Sequence, residues 1–143
     1  MEIRRLSPDY AVSPQIAPQD VALLQAEGFS TVICNRPDGE IPSELHAAEM
    51  RQLVEAAGME FVLNPVISGA MTMANVEAQG AAIAAARGPV FAYCASGNRS
   101  SIVWALSQAG VRPADDLIGA AARFGYQLEG LRGQIEALAA SKA

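Results

Sequence analysis

One stretch constrains the fold more than any other: GPVFAYCASGNRSSIVWAL, residues 88–106. Pro89 to Cys94 is a short apolar run behind a glycine, the pattern of a strand buried on both faces. Four small or turn-tolerant residues follow, Ala95, Ser96, Gly97 and Asn98. Arg99 then opens a helical run to Ala109 that Gly110 stops. Strand, tight loop and helix in immediate succession make a unit of parallel α/β architecture, and the loop leaves the sheet at the strand's carboxyl end, where open α/β sheets hold ligands.

The rest of the chain alternates in the same way. Ala11 to Ser13, Thr31 to Asn35 and Glu60 to Leu63 read as further strands. Helices are expected from Pro18 to Glu27, with proline near the first position, and from Ser43 to Ala57, with Ser43 as cap and Gly58 as stop. Thr72 caps a third running to Arg87 and closed by Gly88; Pro113 opens another that Gly125 interrupts; Leu128 to Ala140 forms the last. The pattern predicts a single α/β domain with a small, mostly parallel sheet, which 143 residues suit.

Apolar residues at 51% and charged residues at 17% exclude disorder. A net charge of −5 leaves no broad positive surface for a nucleic-acid backbone or an anionic membrane, so neither is an expected partner. No run reaches bilayer-spanning length, and MEIRRLSPDY lacks the apolar stretch of an export signal. Two cysteines are a poor disulfide framework, which points to a reducing cytoplasm.

Function concentrates at Cys94. The loop Ala95–Asn98 can turn its amides inward as a nest for an anion, and the helix that Arg99 opens places a partial positive charge at the same point. Such surroundings lower a cysteine pKa from about 8.5 into the range of roughly 3.5 to 7.5, so a reactive thiolate is expected. Arg99 adds a bidentate grip on an oxyanion. The Ser100 hydroxyl is placed to donate to the thiolate and ease its departure, with Ser101 as a weaker second. Cys34, in TVICN, lacks such a loop; it reads as buried filler, with a resolving partner for Cys94 as the alternative. His46 shares a helix face with Met50, Leu53 and Val54 and reads as packed or boundary rather than as a base, and Trp104 reads as core.

FAYCASGNRSS, with NPV upstream, IVWAL directly after and VICNRPDGE earlier, resembles the phosphatase-like domain family of beta-lactamase hydrolase-like proteins, from about Leu6 to about Gly125. The family is related to the cysteine-dependent tyrosine and dual-specificity phosphatases. The resemblance implies their α/β sandwich with a four- or five-stranded sheet, here flanked by about six helices. It also implies Cys94 as nucleophile, Arg99 as oxyanion ligand and Ser100 as the hydroxyl after the arginine. No metal or organic cofactor is implied.

Two departures stand out. The four residues between Cys94 and Arg99 are one fewer than in the common phosphatase loop, and match the rhodanese-type sulfurtransferases instead. NPVISGAMTMAN, where an acid would be sought, has no carboxylate. The loop NRPDGE reads first as a solvated turn, PDG being strong turn chemistry; the alternative is that Asp38 or Glu40 reaches the pocket as a substitute acid and Arg36 as a second anion ligand. The leading expectation is a cysteine-dependent phosphatase acting on a phosphorylated small molecule or protein. A sulfurtransferase carrying a persulfide on Cys94 stands second, and a non-catalytic phospho-ligand module third. The oligomeric state is left open.

Overall fold

In the computed structural model, which describes residues 1–142, five strands form one sheet. β2 (Tyr10–Ser13), β5 (Val90–Tyr93), β3 (Thr31–Cys34) and β4 (Glu60–Leu63) lie side by side and parallel. β1 (Arg4–Ser7) adds antiparallel to β2, giving the order β1-β2-β5-β3-β4. The strand before Cys94 is therefore central, paired on both edges and buried at every position.

Its alternation serves two cores. Val90 and Ala92 face a cluster with Trp104, Leu117 and Ile135; Phe91 and Tyr93 face Leu24, Met50 and Val54. Both faces of the strand being covered explains why its sequence is continuously apolar. The first face carries α3 (Met73–Ala85), α4 (Asn98–Ser107), α5 (Ala114–Ala122) and α6 (Arg132–Ser141); the second carries α1 (Val21–Ala26) and α2 (Ala47–Ala56). Trp104 is core, stacked on Tyr10 with centroids 5.6 Å apart, a geometry worth about 0.5–1.5 kcal/mol beyond the burial itself.

Six helices agree with the sequence pattern, but several ends differ. Pro18–Asp20, Ser43–Leu45 and Glu129–Leu131 are tight 3-10 turns leading toward α1, α2 and α6 rather than their first α-helical turns. Ser43 does not cap α2; the carboxylate of Asp38, nine residues before Ala47, accepts the Ala47 N–H at 2.8 Å. Thr72 does cap α3, accepting from the Asn75 N–H at 3.1 Å. α3 ends at Ala85, short of Gly88.

The sheet has one strand more than the four read from the sequence. RRLS shows no apolar alternation, and β1 is held by contacts between distant segments: the Arg5 guanidinium lies 4.9 Å above the Phe29 ring, and Arg4 reaches Tyr126.

Candidate functional site

Three loops meet at the carboxyl ends of the parallel strands: 35–46 after β3, 64–72 after β4 and 94–97 after β5. Cys94 is fully buried, 0% exposed, and its sulfur accepts the Gly97 N–H at 3.1 Å. Gly97 is left-handed, φ 92°, and a β-carbon there would overlap the Tyr126 hydroxyl, so only glycine fits both the turn and the space. Tyr126 donates to the Ser96 carbonyl at 2.8 Å and accepts from Arg4 at 2.6 Å, pinning the outer side of the loop. The Asn98 N–H is taken by Ser96 Oγ at 3.2 Å. The N–H groups of Ala95, Ser96, Arg99 and Ser100 find no acceptor among the described residues, and together with the α4 terminus they form an anion cradle.

Arg99 is 9% exposed, and both of its Nη atoms are engaged. Nη1 and Nη2 each donate to a Glu40 carboxylate oxygen at 2.8 Å, and Nη1 also donates to the Val66 carbonyl at 2.7 Å. Arg36 Nε donates to the same carboxylate at 3.1 Å. Glu40 is thus gripped by two guanidinium groups, and its pairing with Arg99, more than that with Arg36, holds its carboxyl below the usual glutamate range. Glu40 in turn raises the Arg99 pKa, and Cys94 adds to that effect. A carboxylate resting on the arginine shows what the arginine's fork is shaped to hold: a planar or tetrahedral oxyanion.

Ser100, Ser101 and Asp38 each have a hydrogen-bond partner other than the Cys94 sulfur. The single Ser100 O–H is donated to Asn35 Oδ1 at 2.9 Å, so it is not free for the Cys94 sulfur. Ser101 likewise bonds back to the Gly97 carbonyl at 2.8 Å. Asp38 caps α2, so Glu40, the other acid of NRPDGE, is the one that meets the cradle, and it does so as an ion-pair partner. His46 sits at the boundary of α2, with its ring nitrogen 3.1 Å from the Ile41 carbonyl. Cys34 packs with Phe91 and Tyr93, and burial pushes its thiol pKa up.

The sequence reading missed a buried amide network beneath the cradle. Asn35 Nδ2 donates to the Asn64 carbonyl and to Gln79 Oε1, both at 2.9 Å; Asn64 Nδ2 donates to Gln79 Oε1 at 2.8 Å. Gln79 Nε2 donates to the Tyr10 hydroxyl at 3.0 Å, and Tyr10 donates to the Ser100 carbonyl at 2.8 Å. This ties the ends of β3 and β4, α3 and the first turn of α4 into one satisfied unit. Its trace in the sequence is an asparagine closing each of two strand runs, TVICN and EFVLN.

Beside Arg99 opens a cavity of about 420 Å3, walled mainly by Ile67, Met71, Met73, Ile102 and Leu131. Val66, whose carbonyl is on Arg99, is fully buried, while the next residue, Ile67, is 61% exposed. No helix is long and apolar enough to cross a membrane, and no cluster of three metal-ligating side chains occurs among the described residues.

The fold is shared with the structure of PTPMT1, which superposes over 99% of this chain and 98% of its own with a TM-score of 0.73, at 19% identity. The chain belongs to the phosphatase-like domain family of beta-lactamase hydrolase-like proteins, whose model matches residues 2–111. A candidate phosphatase from Neisseria meningitidis is 34% identical, with a TM-score of 0.81 over 96% of this chain and 99% of that one. The beta-lactamase hydrolase-like protein of Agrobacterium fabrum is 37% identical over 99 residues, 69% of this chain. The match spans only 22% of that protein's length, and 25% of a Xylella fastidiosa relative.

Proposed function

We propose that the protein hydrolyses phosphate monoesters or anhydrides through a phosphocysteine. The Cys94 sulfur forms a bond to phosphorus as the bond from phosphorus to the leaving oxygen breaks, that oxygen taking the electron pair. Water then attacks phosphorus, the P–S bond breaks, thiolate is restored and inorganic phosphate leaves. The free amides of Ala95, Ser96, Arg99 and Ser100 and the Arg99 guanidinium stabilise the three peripheral oxygens as charge shifts onto them.

The observation that carries this reading is the convergence of four unpartnered N–H groups and an arginine fork on the end of the helix next to a cysteine sulfur. Glu40 must yield its two bonds to Arg99, at least in part, when substrate phosphate arrives. The test is release of phosphate from an aryl phosphate by wild type and Cys94→Ser. Equal rates in the two refute the scheme.

The four-residue loop favours a second reading, transfer of sulfane sulfur through a Cys94 persulfide, because a tighter cradle suits a smaller group than phosphoryl. Thiocyanate formed from thiosulfate and cyanide, with a mass gain of one sulfur atom on Cys94, would establish it; an unchanged mass would remove it.

A further inference from the structure

We infer that the leaving group lies against Ile67 and departs without being protonated, so the substrates are phosphates of stable anions, aryl or acyl phosphates, rather than esters of ordinary alcohols. This rests on the phosphatase reading above and specifies its substrate class.

A leaving alkoxide needs a proton as its bond to phosphorus breaks, and the donor must hold that proton near neutral pH. The groups that touch the cradle do not. Glu40 is anionic, gripped by Arg99 and Arg36. The Tyr126 proton is spent on the Ser96 carbonyl, and the Ser100 proton on Asn35. Asp38 is turned to the α2 terminus.

The loop laid across Arg99 is equally bare. From Asn64 to Asn75 it contains no carboxylate, histidine, cysteine or tyrosine. The side chain that follows the Arg99-bound Val66 carbonyl is an exposed isoleucine, and beyond it opens the cavity bounded by Met71, Met73 and Leu131, whose polar lining is Ser68, Thr72, Asn98, Arg99 and Gln134, with no carboxyl, imidazole or thiol. An aromatic leaving group finds contact there, but no proton. In the first step its oxygen takes the electron pair and leaves as a phenolate or carboxylate; solvent protonates it later, or not at all.

General acid catalysis is worth roughly 10²- to 10⁴-fold, and its absence falls almost wholly on poor leaving groups. The experiment compares kcat/KM, which reports the first chemical step, for para-nitrophenyl, chlorophenyl and phenyl phosphates with wild type, Ile67→Asp and Glu40→Gln. In wild type kcat/KM should fall by about 10²-fold or more from nitrophenyl to phenyl. Ile67→Asp, which installs a carboxyl at an exposed position, should flatten that dependence, and Glu40→Gln should change all three by one common factor. Equal slopes in wild type and Ile67→Asp overturn the inference: both shallow means a donor already exists, both steep means the leaving group does not pass Ile67. Selective loss on phenyl phosphate in Glu40→Gln makes Glu40 the acid and overturns it too. Turnover that survives Cys94→Ser refutes the phosphocysteine reading itself, whereas a shallow Cys94-dependent slope refutes only the inference.

Discussion

Cys34 and Cys94 stand almost side by side in the sheet: Cys34 is the last residue of β3, and its partner in the ladder is Tyr93, the residue before Cys94. Both are buried. What differs is the chain that follows. After Cys34 come Asn35, Arg36 and Pro37, and the thiol donates weakly to the Arg36 carbonyl at 3.4 Å inside an apolar cluster. After Cys94 comes a glycine loop and a helix start, and the sulfur is an acceptor, facing an amide. The same residue type at the same edge thus meets opposite partners: burial raises the pKa of Cys34, whose thiol donates, while the Cys94 sulfur accepts from an N–H. Burial is common to both; the direction of the neighbouring dipoles is what separates them.

Exchange of each sulfur for oxygen breaks the comparison most sharply. Cys94→Ser is expected to lower phosphate release by roughly 10⁴-fold or more, as loss of a covalent nucleophile does, while Cys34→Ser leaves kcat near wild type. Steady-state assay of the two variants side by side decides it, and a large loss in Cys34→Ser would mean the two strands are not independent. Next in size is Arg99→Lys, which keeps the charge but loses the fork held by Glu40 and Val66; about 10²- to 10³-fold in kcat is the expected loss. Activity retained by the lysine variant would show that point charge suffices.

Gly97→Ala acts on the loop that distinguishes the two cysteines. The left-handed backbone alone costs about 1–2 kcal/mol, before the overlap with Tyr126 is counted. A lower denaturant midpoint together with lost activity is expected, and an unaffected midpoint would contradict the close contact. The smallest effect is pH-linked. Glu40 has a folded pKa below its unfolded value of about 4.3, so its ion pair stabilises the fold above that pH and the contribution is lost as pH falls through the lowered value. The melting-temperature difference between wild type and Glu40→Gln should therefore be present at neutral pH and shrink on acidification below about pH 4. A constant difference would exclude the ion pair as its source.

The Cys94 to Arg99 unit was legible because all of it is local: an apolar strand, small loop residues and a helix start in adjacent positions. The partners that complete the site were not, because they come from far along the chain. Glu40 is 59 residues from Arg99, and Tyr126 is 30 from Ser96. Ser100 looked available for the sulfur only because Asn35, 65 residues away, was not seen to claim its proton. Asp38 looked like an acid because its loop lies at the right edge of the sheet, while its role as a cap for Ala47 depends on how that loop folds back. β1 escaped notice because an arginine pair is held in a strand by aromatic and phenolic partners that no periodicity announces.

The amide network under the cradle carries one more implication. Asn35, Asn64, Gln79 and Ser100 cannot ionise in the ordinary range, and burial pushes the phenol of Tyr10 upward, away from it. The foundation of the loop is therefore indifferent to acidity and, being sealed from solvent, to salt. A rate profile measured across pH will carry no contribution from the floor on which the loop stands.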